Sequence, residues 1–306
     1  MSSSPRIAPP PQVATSPGGT FDLMDMYLMH HFSTSTSLDL FPYENARIAW
    51  QTTVPLQAQS HPLLVHGILA ISAAHMVAQD DPKGAAFGLR ALHHQNLGLL
   101  MYRSALSSMS KDNAPALFAF SMMIAIFAFA SPRLMERAPN MDEVLDKFGL
   151  MRGSRIVWSS ETDTIRTGPT RALLPTIKDA DEYVMEPRYA AYVDELEIFV
   201  GEEIYASAVK FLRLCLQFAF KAPTEVPMAA RWPAQTTDAF WELVMAKDPK
   251  ALMILAHYGL VLRNYSQTWW LAGWKDILVN SISEALSDAE KEAFGWQDRI
   301  HAILYL

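Results

Sequence analysis

The sequence has little cysteine and none of the common sequence signatures of nucleotide-dependent or hydrolytic enzymes. A single cysteine, Cys215, among 306 residues excludes an internal disulfide and a zinc site built from cysteine thiolates. Such low cysteine usage fits a reducing compartment. Because Cys215 lies in the apolar segment 211–216, we expect an inert thiol in the core.

Clustered positive charge is also absent. The chain carries 25 Lys and Arg against 32 Asp and Glu, a net charge of -7, and no basic run stands out. Contacts to phosphates dominate nucleic-acid affinity, so this balance predicts no direct binding of nucleic acid. Phosphate loops, nucleophile elbows, kinase signatures and dinucleotide fingerprints are missing from the sequence, which argues against NTPases, α/β-hydrolases and dehydrogenases.

We expect neither a signal peptide nor a membrane span in this sequence. Residues 1–20 are rich in Ser, Pro and Gly without an apolar stretch, so we expect a disordered tail. The uncharged run 114–130 reaches only the short limit for a membrane span. Charged residues bound it closely on both sides, which favours a buried central helix and no membrane span.

What the sequence has is apolar residues at helical spacing. Half of the residues are hydrophobic, with 8 Trp and 16 Met, and no strand-like alternation stands out. We predict an all-α fold, a single large helical domain over residues 21–306 with an apolar central pocket. A large helical core without a pocket would have the same composition. Asn140 should cap a helix to about residue 159, and the run 33–37 should end the first helix.

Histidines are unusually dense in the apolar segments. His66, His75, His94 and His257 could form a metal site, but no pair has the helical i, i+4 spacing of a strong zinc motif. A buried imidazole must find a hydrogen-bond partner. Core histidines with such partners are therefore the favoured interpretation.

Several segments together resemble a known family. They are 28–36, 50–55, 61–75, 93–96, 256–258 and 269–274. The pattern is similar to the ligand-binding regulatory domain of fungal zinc-cluster transcription factors of the sterol-uptake-control type. This resemblance implies a helical domain that tends to self-associate, hence a possible homodimer, with an apolar pocket for a sterol-like molecule. The zinc cluster should precede residue 20 and is missing, so we expect that the chain cannot bind DNA as its relatives do.

A chain of this size without a zinc cluster is also similar to the atypical humulene synthases of fungal tropolone-sesquiterpenoid pathways. That resemblance implies a sesquiterpene cyclase, which would convert farnesyl diphosphate to a cyclic, humulene-like product in secondary metabolism. An apolar pocket that holds a sterol could hold a farnesyl chain instead.

Acidic residues at two places have the spacing that such chemistry needs. Ionising a prenyl diphosphate calls for oxygen ligands to Mg²⁺. Asp142 and Asp146 resemble the first metal motif of class I terpene cyclases, and Asn280, Glu284 and Asp288 on the last helical stretch resemble the second. The second match is weaker, since that motif prefers Ser or Thr in the middle. Solvated helix faces would give both patterns, because the apolar stripes lie opposite.

Cations and further acids complete the candidate site. Arg152 and Arg155 could clamp a diphosphate, although an ordinary amphipathic helix face would place them similarly. Asp80 with Asp81, and the acids of segment 194–197, are alternative metal ligands or plain surface charge.

Two hypotheses follow. The main one is a Mg²⁺-dependent, cytoplasmic lyase, an atypical class I-like sesquiterpene cyclase with an isoprenoid substrate. The alternative is the ligand-binding regulatory domain of a fungal transcription regulator, sterol-sensor-like and without its own DNA-binding cluster, located in the nucleus.

Overall fold

The computed structural model describes residues 21–41, 43–81, 83–135, 137–174, 185, 187–221 and 228–305. The predicted disordered tail, residues 1–20, lies outside them. Within the described ranges the chain is helical and contains no strand, so the predicted all-α fold class is confirmed.

The first half of the chain supplies helices α1 to α9, which are Leu23–His31, Ser37–Asp39, Glu44–Ile48, Val54–Ala58, Pro62–Ala78, Gly84–Leu106, Ala114–Met135, Met141–Ser160 and Thr162–Thr167. π-Helical segments at Phe32–Thr36 and Ala49–Thr53 join α1 to α2 and α3 to α4.

A short 3₁₀ segment, Pro169–Leu173, follows α9. Helices α10 to α18 are Pro187–Val200, Glu203–Lys221, Met228–Gln235, Asp238–Met245, Pro249–His257, Gly259–Arg263, Trp274–Ala285, Asp288–Ala293 and Trp296–Tyr305. Helices α10 and α11 are separated at Gly201, whose backbone adopts a positive φ of 66°.

Helices α5, α6 and α7 form the centre of the molecule, with α8 packed on α7 and α12 packed on α8. Helix α7 is long and apolar enough to cross a membrane, but 94% of its most apolar stretch is buried inside the protein. Pro132 in this helix has no N–H for the carbonyl of Ala128, and the Ser131 hydroxyl donates to that carbonyl instead at 2.7 Å. Helix α7 is therefore a core helix, as the uncharged run 114–130 predicts.

Two helix boundaries test the sequence interpretation. Helix α1 ends at His31, just before the run 33–37, but this run continues as a π-helical segment instead of a turn. The hydroxyls of Ser33 and Thr34 donate to the carbonyls of Met29 and His30 there. By contrast, Asn140 caps α8 with a capping box, as predicted.

Glycine lets α6 approach α7 closely. A Cβ atom on Gly98 would lie 2.6 Å from Cζ of Phe120, a ring that is fully buried. Gly88, on the same helix, has no atom within 4 Å of the corresponding position. The two glycines therefore form a matched pair for testing the packing of the central helices.

We expect Gly98→Ala to destabilise the protein by about 1–3 kcal/mol, because the new methyl group overpacks the core. Gly88→Ala should instead stabilise it by about 0.5–1 kcal/mol, since alanine loses less backbone entropy in a helix. Urea unfolding of both variants measures the difference. Equal unfolding midpoints would show that Phe120 moves aside without cost.

Candidate functional site

A cavity of about 660 Å³ lies beside α7 and α8. Helices α11 and α12 and the segment between α15 and α16 close its other sides. Its lining residues are Leu40, Phe41, Phe118, Met122, Ala125, Ile126, Met151, Ser154, Arg155, Trp158, Arg166, Leu173, Leu174, Phe211, Arg231, Ala234, Gln235, Tyr265, Thr268, Trp270 and Leu271. The volume falls in the range of about 300–1,000 Å³ that is common for small-molecule sites.

The walls of the cavity are mainly apolar and aromatic. Phe118, Trp158 and Trp270 supply large rings, while Met122 and Ala125 lie on the face of α7 that borders the cavity. Trp270 is fixed by its indole Nε1, which donates to the carbonyl of Leu40 at 3.0 Å. Such a surface favours an apolar molecule of moderate size.

Three guanidinium groups interrupt these apolar walls. Arg155 comes from α8, Arg166 from α9 and Arg231 from α12, and no Asp or Glu lines the cavity in the described part of the chain. Arg166 is exposed, and its guanidinium lies 5.8 Å from the ring centroid of Trp158. The cavity is therefore positively charged as well as apolar.

Arg152 and Arg155, the predicted diphosphate clamp, have different surroundings. Arg152 does not line the cavity: its guanidinium donates to the carbonyls of Pro233 and Thr236 at 2.6 and 2.9 Å. It also pairs with Asp238 and thereby joins α8 to the turn before α13. Arg155 lines the cavity and pairs with the same Asp238 at 3.2 Å. The two side chains thus share a carboxylate, and only Arg155 faces the cavity.

The predicted metal ligands lie on the outer surface. Asp142 pairs with Lys247 at 2.7 Å, and Asp146 is exposed on the same helix. None of these carboxylates lines the cavity. Among the described residues the structure brings together no three His, Cys, Asp or Glu side chains that could hold a metal ion. The Mg²⁺ site stays a prediction that this geometry does not support.

The second acidic motif is also divided between two helices, which corrects the sequence interpretation. Asn280 and Glu284 are exposed on α16, which ends at Ala285. Asp288 begins α17, because the Ser287 side chain caps a new helix there. The three residues therefore do not follow one another along a single helix face.

The histidines form buried hydrogen-bonded chains. Nδ1 of His66 lies 2.9 Å from Nδ1 of His94, whose Nε2 lies 2.8 Å from Oδ1 of Asp25. Arg90 also donates to this carboxylate, at 2.9 Å. Burial and the neighbouring His94 lower the pKa of His66 to about 4. With both rings neutral, His94 donates through Nε2 and accepts through Nδ1, so His66 donates through Nδ1.

His75 and His257 are buried as well. Nδ1 of His75 donates to the Thr36 hydroxyl at 3.0 Å, and burial lowers the pKa of His75 to about 4. Nδ1 of His257 donates to the carbonyl of Met253 at 2.6 Å, and burial lowers the pKa of this ring to about 4 as well. These contacts support core histidines, which the sequence favoured over metal ligands.

Sequence reasoning missed Arg166 and Arg231. The available signal was a lone cation in an otherwise uncharged segment, as at 228–237 around Arg231. That signal could not show that α12 meets α8 and α9 at one cavity, because Arg231 is far along the chain from Arg155 and Arg166.

Comparisons with known proteins agree with the resemblance to fungal zinc-cluster transcription factors. Residues 27–163, just under half of the chain, match the model of the fungal specific transcription factor domain. A Zn(2)-C6 fungal-type transcription factor of Gibberella zeae is 25% identical over 90% of this chain and 60% of its own length. The Zn(2)-C6 fungal-type transcription factor afumD of Aspergillus fumigatus is 24% identical over 77% of this chain and 66% of its own length.

Sterol uptake control protein 2 of Candida albicans is 22% identical over 92% of this chain and 44% of its own length. The alignments thus span between 44% and 66% of these relatives. The resemblance to the regulatory domain of fungal zinc-cluster transcription factors is confirmed. The comparisons do not confirm the resemblance to humulene synthases.

The interpretation as a lyase and terpene cyclase is wrong. The relatives are named as transcription factors and as a sterol uptake control protein, and the matched model is that of a transcription factor domain. The residues predicted to bind Mg²⁺ lie on the surface, and any solvated helix face can produce their spacing.

Proposed function

We propose that this chain is the ligand-binding regulatory domain of a fungal transcription regulator and that it binds an apolar small molecule of isoprenoid or sterol size. The observation that carries the proposal is the cavity of about 660 Å³ against α7 and α8, which both lie within the part matched by the family model. Aromatic and aliphatic side chains form most of its walls.

Binding of a ligand in such a cavity would change the stability of the folded chain. A molecule that binds only the folded chain stabilises it by an amount that grows with its concentration over its Kd. Contact with DNA would come from a zinc cluster of the kind that the relatives' names record, on this polypeptide or on a partner. This role favours a nuclear location over the cytoplasmic one that the cyclase interpretation implied, and the homodimer stays a prediction.

The test is thermal unfolding of the purified chain with a panel of sterols and isoprenoid alcohols. A ligand at a hundred times its Kd should raise the free energy of unfolding by about 2.7 kcal/mol. Ala125→Phe should abolish this shift, because the new ring would fill space next to α7 in the cavity. Ala289→Phe adds the same ring at an exposed position and should leave the shift unchanged.

Two results would contradict the proposal. One is a panel in which no compound stabilises the folded chain. The other is undiminished stabilisation of folded Ala125→Phe, which would place the ligand elsewhere. A fusion of the chain to an unrelated DNA-binding domain then tests regulation, since the active ligand should change reporter expression and Ala125→Phe should remove that response.

A further inference from the structure

The cavity contains cations that an uncharged ligand does not require. We propose that its natural occupant is an amphipathic anion, a long apolar body ending in a carboxylate that Arg231 and Arg166 bind. This inference rests on the proposed function and names the chemical class of its ligand. Three arginines and no acid line the space in the described ranges.

Among the three arginines of the cavity, Arg231 most clearly lacks an anionic partner in the described ranges. Its Nε donates to Oε1 of Gln235 at 3.0 Å, and its guanidinium lies 5.8 Å from the ring centroid of Phe218. Its Nη1 is buried without a hydrogen-bond partner. No carboxylate among the described residues lies within ion-pair distance of it, and burial lowers its pKa. A half-buried cation whose buried Nη1 lacks a partner is costly unless an anion binds it.

The other two arginines add to this excess charge. Arg166 forms no ion pair with any described residue, and since it is exposed while lining the cavity, it marks the opening. Arg155 shares the single carboxylate of Asp238 with Arg152, so two cations face one anion there. Asp238 itself does not line the cavity. Positive charge therefore remains uncompensated in the lining of the cavity.

A neutral ligand would not resolve this imbalance. A sterol hydroxyl can accept one hydrogen bond, but it brings no charge to offset a desolvated guanidinium. A carboxylate accepts from a guanidinium through two oxygens and forms charge-assisted hydrogen bonds. Phe118, Trp158 and Trp270 would then surround the apolar body of the same molecule. The combination of walls and cations thus matches an acid with a long hydrocarbon chain.

The experiment compares dodecanoate with dodecan-1-ol, which has the same chain and no charge. Binding to the full chain is followed by its tryptophan fluorescence, because Trp158 and Trp270 line the cavity. We expect dodecanoate to bind roughly ten- to a hundredfold more tightly, the value of hydrogen bonds to charged groups. Arg166→Gln with Arg231→Gln should remove this preference and leave the affinity for dodecan-1-ol unchanged.

Two controls separate binding from folding. Arg231→Lys keeps the cation and should retain most of the preference. Arg137→Gln removes an exposed arginine that pairs with Glu143, away from the cavity, and should bind like the native chain. The double variant should unfold at the same or a higher temperature than the native chain without ligand, because it no longer buries an uncompensated charge.

The outcomes distinguish the two proposals. Equal or tighter binding of dodecan-1-ol by the native chain would overturn the anionic ligand and leave the ligand-binding domain standing. An undiminished preference in the folded double variant would also overturn it. If the native chain binds neither compound and no sterol, both proposals fail.

Discussion

Acidification from pH 7 to pH 5 is expected to lower the free energy of unfolding by about 3–5 kcal/mol. The cause is the set of buried histidines His66, His75 and His257, each of which has its pKa lowered by burial to about 4. In the unfolded chain these rings titrate near pH 6.5, so below that pH the unfolded state binds more protons than the folded state.

The direction of this pH dependence follows from the lowered pKa values of the buried histidines. Each ring that must stay neutral in the fold costs up to about 1.4 kcal/mol for every pH unit below 6.5, until the folded pKa is reached. Neighbouring titratable groups do not reverse this: His94 and His93 lie near His66, His31 lies near His75, and Arg299 lies near His257, and each lowers the pKa of its neighbour. The Asp39 carboxylate lies 3.6 Å from Nε2 of His75, but burial still holds the pKa of that ring at about 4. Asp25 favours the charged form of His66, but burial outweighs it. Stability is therefore complete above pH 6.5 and falls towards pH 4.

Urea unfolding at pH 7, 6 and 5 measures the effect. His257→Asn keeps a side-chain donor near the carbonyl of Met253 but cannot titrate, so it should show about one third less pH dependence. His301→Gln, which removes an exposed histidine, should follow the native profile. Unfolding midpoints that stay constant between pH 7 and pH 5 would refute the assignment of neutral buried rings.

The second large effect is expected for Trp274→Ala, a loss of about 3–5 kcal/mol. Trp274 is 1% exposed, and its ring centroid lies 4.5 Å from that of Phe129. Its indole Nε1 donates to the Phe129 carbonyl at 2.7 Å, next to the turn that Pro132 disturbs. The substitution would leave a cavity between α7, α8 and α16 and would remove a partner from a helix carbonyl.

Trp274→Phe separates the two contributions. It keeps an aromatic ring against Phe129 and loses the hydrogen bond, so an intermediate loss of about 1–3 kcal/mol is expected. Chemical unfolding followed by far-UV circular dichroism measures both variants. An alanine variant as stable as the phenylalanine variant would mean that the surrounding helices close over the vacated space.

Local patterns in the sequence predicted much of the fold. The uncharged run 114–130 indicated a central helix, and it is buried within α7. Asn140 predicted the start of α8, because a helix cap depends only on neighbouring residues. The apolar stripe of α16, opposite its exposed polar residues, is buried at Leu278 and Ile282.

The site was harder to predict because its geometry depends on distant contacts. The spacing of Asp142 and Asp146 along α8 predicted a metal site. Both residues are exposed instead, and Asp142 pairs with Lys247. The polar partner of Arg152 is the turn 233–238, which no helical pattern connects to α8. His66 and His94 meet across two helices, and neither ring has its partner at helical spacing in its own segment.

The cavity walls come from two parts of the chain that are far apart in sequence. Met122 and Arg155 belong to the first half, whereas Phe211 and Arg231 belong to the second. A molecule bound between them would contact both parts. The free energy that holds the two parts together would then depend on the concentration of that molecule in the cell. The helices on either side would then respond together to a metabolite level, with hydrogen exchange slowing on both faces at once.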